Sequence, residues 1–368
     1  MGGGDQKPPS SSSNEKEKEK EKEIILCLLP WPPQRDVLDE IERKHPRVEI
    51  RYEFRPVVVD GIPDDLIKDV TILVTLRQLP DPVAAPRLKY VHIFSAGINQ
   101  LYETPIWKQT TIPFTNSSGV HAPQIAEWVA LQILSASHKQ KLLLEWQRKH
   151  EWGRAAEMGE IRDAVRQRIG ILGYGAIGRQ AARIAQALGM EILAYTAHPR
   201  PTPASKKHTG YTVPGTGDDS GTLPLEWYSG LSTPSLHTFL SQSLDILLIA
   251  VPLTPQTQHF LSAPEFAILA KRKAFIVNIA RGAIVNQDDL IQALKRGDLR
   301  GAALDVTEPE PLGRESELWE MENVVVSPHV SGVGSAYFER AFEILDINLG
   351  RIEEGRGLVN LVDRGRGY

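Results

Sequence analysis

Cysteine is almost missing from the sequence: Cys27 is the only one in 368 residues. One thiol excludes an intrachain disulfide framework and a zinc site built on a cysteine cluster, and it fits a reducing, cytoplasmic home. Long apolar runs are missing as well. Even Leu244 to Leu253 is interrupted by Asp245 and Pro252 and falls short of the roughly 18 residues that span a membrane, so no membrane association is expected. Neither charge sign is in large excess, with 42 Lys and Arg against 46 Asp and Glu and a formal net charge of -4. That balance argues against nucleic-acid binding through a basic surface. The histidines other than His329 show no metal-ligand spacing, so no metal is expected.

What remains is an ordinary globular composition, 41% hydrophobic and 24% charged, in a chain long enough for two cores. Residues 1–23 offer nothing to bury: a Gly, Pro and Ser stretch runs into alternating Glu and Lys, which reads as a solvated tail. From Ile24 short apolar strands alternate with helices or loops: IILCLLP, a helical stretch from Pro33 to His45, EIRYEF, ILVTL at 72–76 and KYVHIFS at 89–95. Such alternation implies a parallel sheet covered on both faces. Helical spacing then runs from Val120 through Ile125, Val129, Ile133 and Leu142 to Gly153, which reads as one long helix bridging two domains.

A second alternating series follows, with strands at 168–172, 191–195, 244–251, 274–280, 301–306 and 324–327. This is the rhythm of a doubly wound nucleotide-binding domain. Its first strand, RIGIL, leads into Gly173, Tyr174, Gly175, Ala176, Ile177 and Gly178 and then a helix-compatible run. In that setting the three glycines serve a tight turn, a close approach to a pyrophosphate and tight packing of helix on strand. Sites that prefer NAD carry an acid about 20 residues on. Here Tyr195 and Thr196 stand at that point, followed by His198 and Arg200, and no acid is available. A hydroxyl with a nearby guanidinium suits the 2'-phosphate, so NADPH is expected over NADH. The competing reading is that Arg200 merely opens a solvated loop and both cofactors serve. Residues 200–234, rich in Pro, Gly, Ser and Thr, read as a surface insertion.

Arg281, Glu310 and His329 each follow a strand of this second series, so all three lie at the carboxyl edge where open α/β sheets bind ligands. At this point the chain resembles the D-isomer-specific 2-hydroxyacid dehydrogenase family, through GYGAIG, NIARG, ALDVTEPEPL and SPHVSG taken in order over about residues 24–368. The ending VDRGRGY is similar to the NADPH-dependent glyoxylate and hydroxypyruvate reductase A branch. The chemistry explains the residue types. Reducing a 2-keto acid needs an anion clamp, a hydride and a proton. Arg281 can grip the carboxylate and keto oxygen, His329 can deliver the proton, and Glu310 can orient the imidazole and favour its protonated form.

The resemblance implies more. Ala96, Gly97 and Ile98 in FSAGIN match a substrate loop whose backbone amides meet the carboxylate, and Leu76 lines the same pocket. Pro252, Thr257, Ile279, Ala280, Ser331 and Gly332 match positions along the cofactor, and Asp305 matches an acid facing the nicotinamide carboxamide. For Asp305 the plainer reading is a turn-forming residue. The implied fold is a pair of doubly wound parallel-sheet α/β domains: a Rossmann cofactor domain over 120–337 inserted into a flavodoxin-like substrate domain formed by 24–119 and 338–368. A homodimer is expected from the family. A nucleotide-sensing scaffold on the same fold is the rival of another class. Formate oxidation is disfavoured, because formate dehydrogenases carry Gln where Glu310 stands.

Overall fold

The computed structural model describes residues 22–55, 61–98 and 101–365. Most of the expected tail, residues 1–21, lies outside them, whereas Glu23 opens the first strand instead of ending the tail. The chain begins with β1 (Glu23–Leu29), α1 (Arg35–Lys44), β2 (Val48–Phe54), α2 (Asp64–Ile67), β3 (Ile72–Thr75), β4 (Tyr90–Ile93), α3 (Pro105–Gln109) and β5 (Phe114–Asn116). These strands form one parallel sheet in the order β2-β1-β3-β4-β5. Two helices, α4 (Ala122–Ser137) and α5 (Gln140–Lys149), lead away from it.

The second unit runs β6 (Arg168–Leu172), α6 (Ala176–Ala187), β7 (Glu191–Thr196), α7 (Pro203–Lys206), β8 (Glu226–Ser229), α8 (Thr233–Leu240), β9 (Ile246–Ile249), α9 (Ala263–Leu269), β10 (Phe275–Asn278), α10 (Gln287–Lys295), β11 (Gly301–Leu304) and β12 (Val324–Val326). Its seven strands, all parallel, lie in the order β12-β11-β10-β9-β6-β7-β8. The strand sequences ILLI and FIVN are apolar almost throughout because helices bury both faces of a parallel sheet. The last helix, α11 (Tyr337–Glu353), returns to the first sheet, where Phe338, Phe342, Leu345 and Leu349 pack with Phe94, Ile25 and Val74. On α4, by contrast, Ile125, Val129 and Ile133 join the core of the second sheet. These packings support the division we propose, with the chain crossing near Val120 and again near Tyr337.

Three sequence expectations need correction. The long helix breaks at Lys139, which takes a left-handed φ of 56° and separates α4 from α5. Two strands were missed, the three-residue β5 and the edge strand β8. The latter lies within residues 200–234, which are therefore more than a surface insertion. Tyr211 and Asp218 in that segment are buried, and Asp218 accepts from the Tyr174 hydroxyl at 2.8 Å. Buried Arg179 of α6 donates to the carbonyls of Asp218 and Lys206, and the Tyr211 hydroxyl donates to Glu343 of α11 at 2.6 Å. Among the described residues no helix is long and apolar enough to cross a membrane.

His92 of β4 is wholly buried, its Nδ1 2.9 Å from Thr115 Oγ1. Burial disfavours the imidazolium and pulls its pKa from 6.5 down to about 4. Because the folded-state value lies below the unfolded one, this stability is present above pH 6.5 and is lost as pH falls toward 4. The loss between pH 7 and pH 5 comes to about 2 kcal/mol. Urea unfolding of the wild type and His92→Gln at those two pH values checks it. The wild type loses more on acidification than the variant; equal losses would contradict the assignment.

Candidate active site

The order of the second sheet reverses between β6 and β9, which places a crevice beyond their carboxyl ends. Gly173 ends β6 there with a φ of 106°, and a Cβ on it would lie 2.5 Å from the carbonyl carbon of Ala250, so only glycine fits. Helix α6 starts at Ala176 with Gly175 as its N-cap and no side-chain cap. A Cβ on Gly175 would meet nothing within 4 Å, so the backbone there faces open space. Gly178 brings the helix tight against the turn, since a Cβ would come 2.3 Å from the Gly173 oxygen. The first-turn N–H groups around Ala176 and Ile177 carry the positive end of the helix dipole, and the uncapped, open backbone fits the pyrophosphate of a dinucleotide.

Beside this loop lies a cavity of about 290 Å³ walled by Tyr195, Ala197, His198, Leu231, Pro252 and Thr257 among others, none of them acidic. The Thr257 hydroxyl donates to Pro252 O at 2.7 Å and so folds its own loop. Of the residues at the expected phosphate end, Tyr195 and His198 line the cavity, and Thr196 and Arg200 do not. The Thr196 hydroxyl donates to His198 O at 2.8 Å, and exposed Arg200 donates to Ser205 O at 2.7 Å. Gly230 and Leu231, near one end of residues 200–234, reach the cavity, while the middle of that segment is tied to α6 and α11.

The three chemistry-bearing residues converge. His329 Nδ1 lies 2.6 Å from Glu310 Oε1, with each side chain a little under half exposed. This leaves Nε2 as the ring nitrogen turned to other partners. His329 itself sits in the left-handed region at φ 54°. Arg281 caps β10: its Nη1 donates to Ala280 O at 2.7 Å, and buried Asn278 fixes the strand end by donating to Arg281 O and accepting from Ala280 N. Ile279 and Ala280 are buried beneath it. Burial lowers the pKa of the guanidinium, and the negative charge of Glu310 works against that shift. Gly282, next in the chain, is required by packing, since a Cβ would come 1.9 Å from Thr307 O. The Arg281 loop therefore rests directly on the loop that carries Glu310.

Asp305 takes a part that its motif did not indicate. Its carboxylate is 1% exposed and accepts from Ser327 Oγ at 2.6 Å, Val330 N at 2.8 Å, Ser331 N at 3.0 Å and Ser331 Oγ. Both oxygens thus accept from the loop around His329. Buried Ser331 is occupied by the same contact, and the Gly332 carbonyl lies 3.0 Å from His121 Nδ1.

On the side of the first sheet, Ile98 is buried in the core, so only its backbone can face a ligand. Ala96 O accepts from Asn116 Nδ2 at 3.0 Å, Gly97 O accepts from Ser95 Oγ at 2.7 Å, and Leu76 packs against the Phe94 cluster. Sequence reasoning missed Tyr102, which couples electrostatically to Arg281, and His121, which couples to His329 and packs against Tyr337 with tilted rings 4.4 Å apart. Both pairs lie far apart in sequence, and no local spacing announces them. Among the described residues no three His, Cys, Asp or Glu side chains gather to hold a metal ion.

Known proteins match this arrangement. The model for the D-isomer specific 2-hydroxyacid dehydrogenase, NAD binding domain, matches residues 130–216 and 224–331. A glyoxylate reductase from Korarchaeum cryptofilum is 30% identical over 81% of this chain and 84% of its own length. A D-isomer specific 2-hydroxyacid dehydrogenase from Xanthobacter autotrophicus, solved with NADPH, is 26% identical with a TM-score of 0.72, covering 94% of this chain and 100% of that one. An NADPH-dependent glyoxylate/hydroxypyruvate reductase from Sinorhizobium meliloti, solved with NADP and sulfate, is 26% identical with a TM-score of 0.70, covering 95% and 100%. The chain belongs to the D-isomer specific 2-hydroxyacid dehydrogenase family and is an NAD(P)-dependent enzyme of that family.

Proposed function

We propose that the protein reduces small 2-keto acids, of the glyoxylate or hydroxypyruvate kind, to D-2-hydroxy acids, with NADPH preferred, NADH possible and His329 as the proton donor. The observation that carries this reading is the His329–Glu310 pair at 2.6 Å, beside a partly buried Arg281 that couples to the same carboxylate. The cofactor supplies the hydride when bound. The glycine loop and the start of α6 hold its pyrophosphate, and the Tyr195, His198 and Pro252 walls enclose its adenosine end. Arg281 binds the substrate carboxylate through planar, charge-assisted donors and orients the keto group. Glu310 accepts from Nδ1, which fixes the ring so that an Nε2 proton is available to the keto oxygen as negative charge develops there. Backbone amides at 96–98 complete the anion clamp from the first sheet.

The preference for NADPH is supported by the absence of a carboxylate among the cavity walls and by the cofactors held in the two related structures. Steady-state kcat/KM for NADPH and NADH, measured with a panel of keto acids, tests both halves of the reading. A clear NADH preference would overturn the cofactor assignment, and no turnover with any keto acid would overturn the reaction. A homodimer is the proposed state. Helix α5 buries none of its residues, and Leu131, Leu144, Trp152, Ile161 and Val165, within it and on either side of it in sequence, stand exposed as surface for a second copy to cover. A monomeric mass by light scattering would contradict this.

A further inference from the structure

The structure holds a second histidine–carboxylate pair next to the first. His259 Nε2 lies 2.8 Å from Glu308 Oε2, and Glu308 is separated from Glu310 by Pro309 alone. The backbone of His259 is fixed independently: its N–H donates to Ala283 O at 2.7 Å, its carbonyl accepts from Ser262 Oγ at 3.0 Å, and it is held in the left-handed region at φ 48°. A non-glycine residue in that region is uncommon and is retained where its surroundings over-determine it. His259 follows Thr257 of the cavity wall; its backbone is bonded to the loop after Arg281 and its side chain to Glu308, so one residue joins three loops: 252–259, 281–285 and 307–311. The last carries Glu310. On its other side that loop is met by Gly282 and by Gln287, whose Oε1 accepts from Glu308 N at 3.2 Å.

We infer that His259 is a positioning residue for the reduction: through Glu308 it holds the 307–311 loop so that Glu310 stays aimed at His329. The inference rests on the function proposed above. Its reason is geometric. Both His259 and Glu308 are about two-fifths exposed, at 42% and 40%, and a contact so open to water adds little to folding stability. Held between a pinned backbone and the loop that carries Glu310, however, it restricts the carboxylate on which the imidazole orientation depends. The 2.6 Å contact between Glu310 and His329 tolerates little displacement, because hydrogen bonds weaken steeply with misalignment.

The test compares wild type, His259→Ala, His259→Gln, Glu308→Ala and the double alanine variant. The expected result is a fall in kcat of roughly 3- to 10-fold for either single alanine variant, within the range that a mispositioned proton donor forfeits. The solvent deuterium isotope effect on kcat rises in these variants, because proton delivery becomes slower. KM for the keto acid, the NADPH dissociation constant read by fluorescence and the melting temperature stay close to wild type. His259→Gln, which keeps a donor at the Nε2 position, recovers most of the loss, and the double variant is no worse than either single one. Unchanged kcat in both alanine variants overturns the inference, as do losses that multiply in the double variant or that track a lowered melting temperature. Wild-type turnover with an unaffected His259→Ala overturns this inference alone, whereas no wild-type turnover overturns the proposed function with it.

Discussion

Replacing His329 with asparagine lowers kcat for keto-acid reduction by roughly 100- to 10,000-fold, the range attributed to a positioned general acid. Asparagine is the informative choice, because position 329 has a φ of 54° and asparagine accepts the left-handed region readily. The side chain is 46% exposed, so its loss leaves no cavity in the core. The His329 loop is also built from its own backbone, with His329 N donating to Asp305 O at 2.8 Å and Val330 N to Asp305 Oδ1. Folding and nucleotide binding are therefore expected to survive. Melting temperature, NADPH affinity and kcat measured on one preparation decide the matter: a folded, NADPH-binding variant with near wild-type turnover removes His329 from the proposed mechanism.

Arg281→Met lowers kcat/KM by roughly 30- to 3,000-fold, equivalent to the 2–5 kcal/mol range for truncating one partner of a desolvated charge pair. The guanidinium is held by its own strand end and electrically coupled to Glu310 and Tyr102, so removing it takes away the proposed substrate clamp and leaves Glu310 without its neighbouring cation. Arg281→Lys is expected to recover only part of the loss, since an ammonium keeps the charge but not the planar two-pronged geometry. The NADPH dissociation constant separates this effect from disruption of the cofactor site. A kcat/KM within threefold of wild type, with that constant unchanged, would falsify the clamp.

Much of this was legible in the sequence because the chemistry demands particular residue types at particular ends of elements. A strand followed by GYGAIG and an alanine-rich helix leaves few structural options, and Arg281, Glu310 and His329 each announce themselves by following an apolar strand. What escaped was short, peripheral or tertiary. FTN at β5 has only three residues, and EWYS at β8 is flanked by turn-forming residues that mask an edge strand. The turn at Lys139 has no glycine or proline to mark it. The contact of the Arg200 guanidinium with Ser205 O has no signal in the sequence. Tyr102 and His121 gain meaning only from neighbours that folding brings to them.

Asp305 shows where the accuracy of the site originates. One buried carboxylate gathers two hydroxyls and two amides from Ser327, Val330 and Ser331, so the path of the chain on both sides of His329 is drawn by a single negative charge. An amide of the same shape would meet those donors with a donor of its own at one end. The aim of the imidazole is thus inherited from a pattern of acceptors buried below the crevice, and shape alone could not reproduce it.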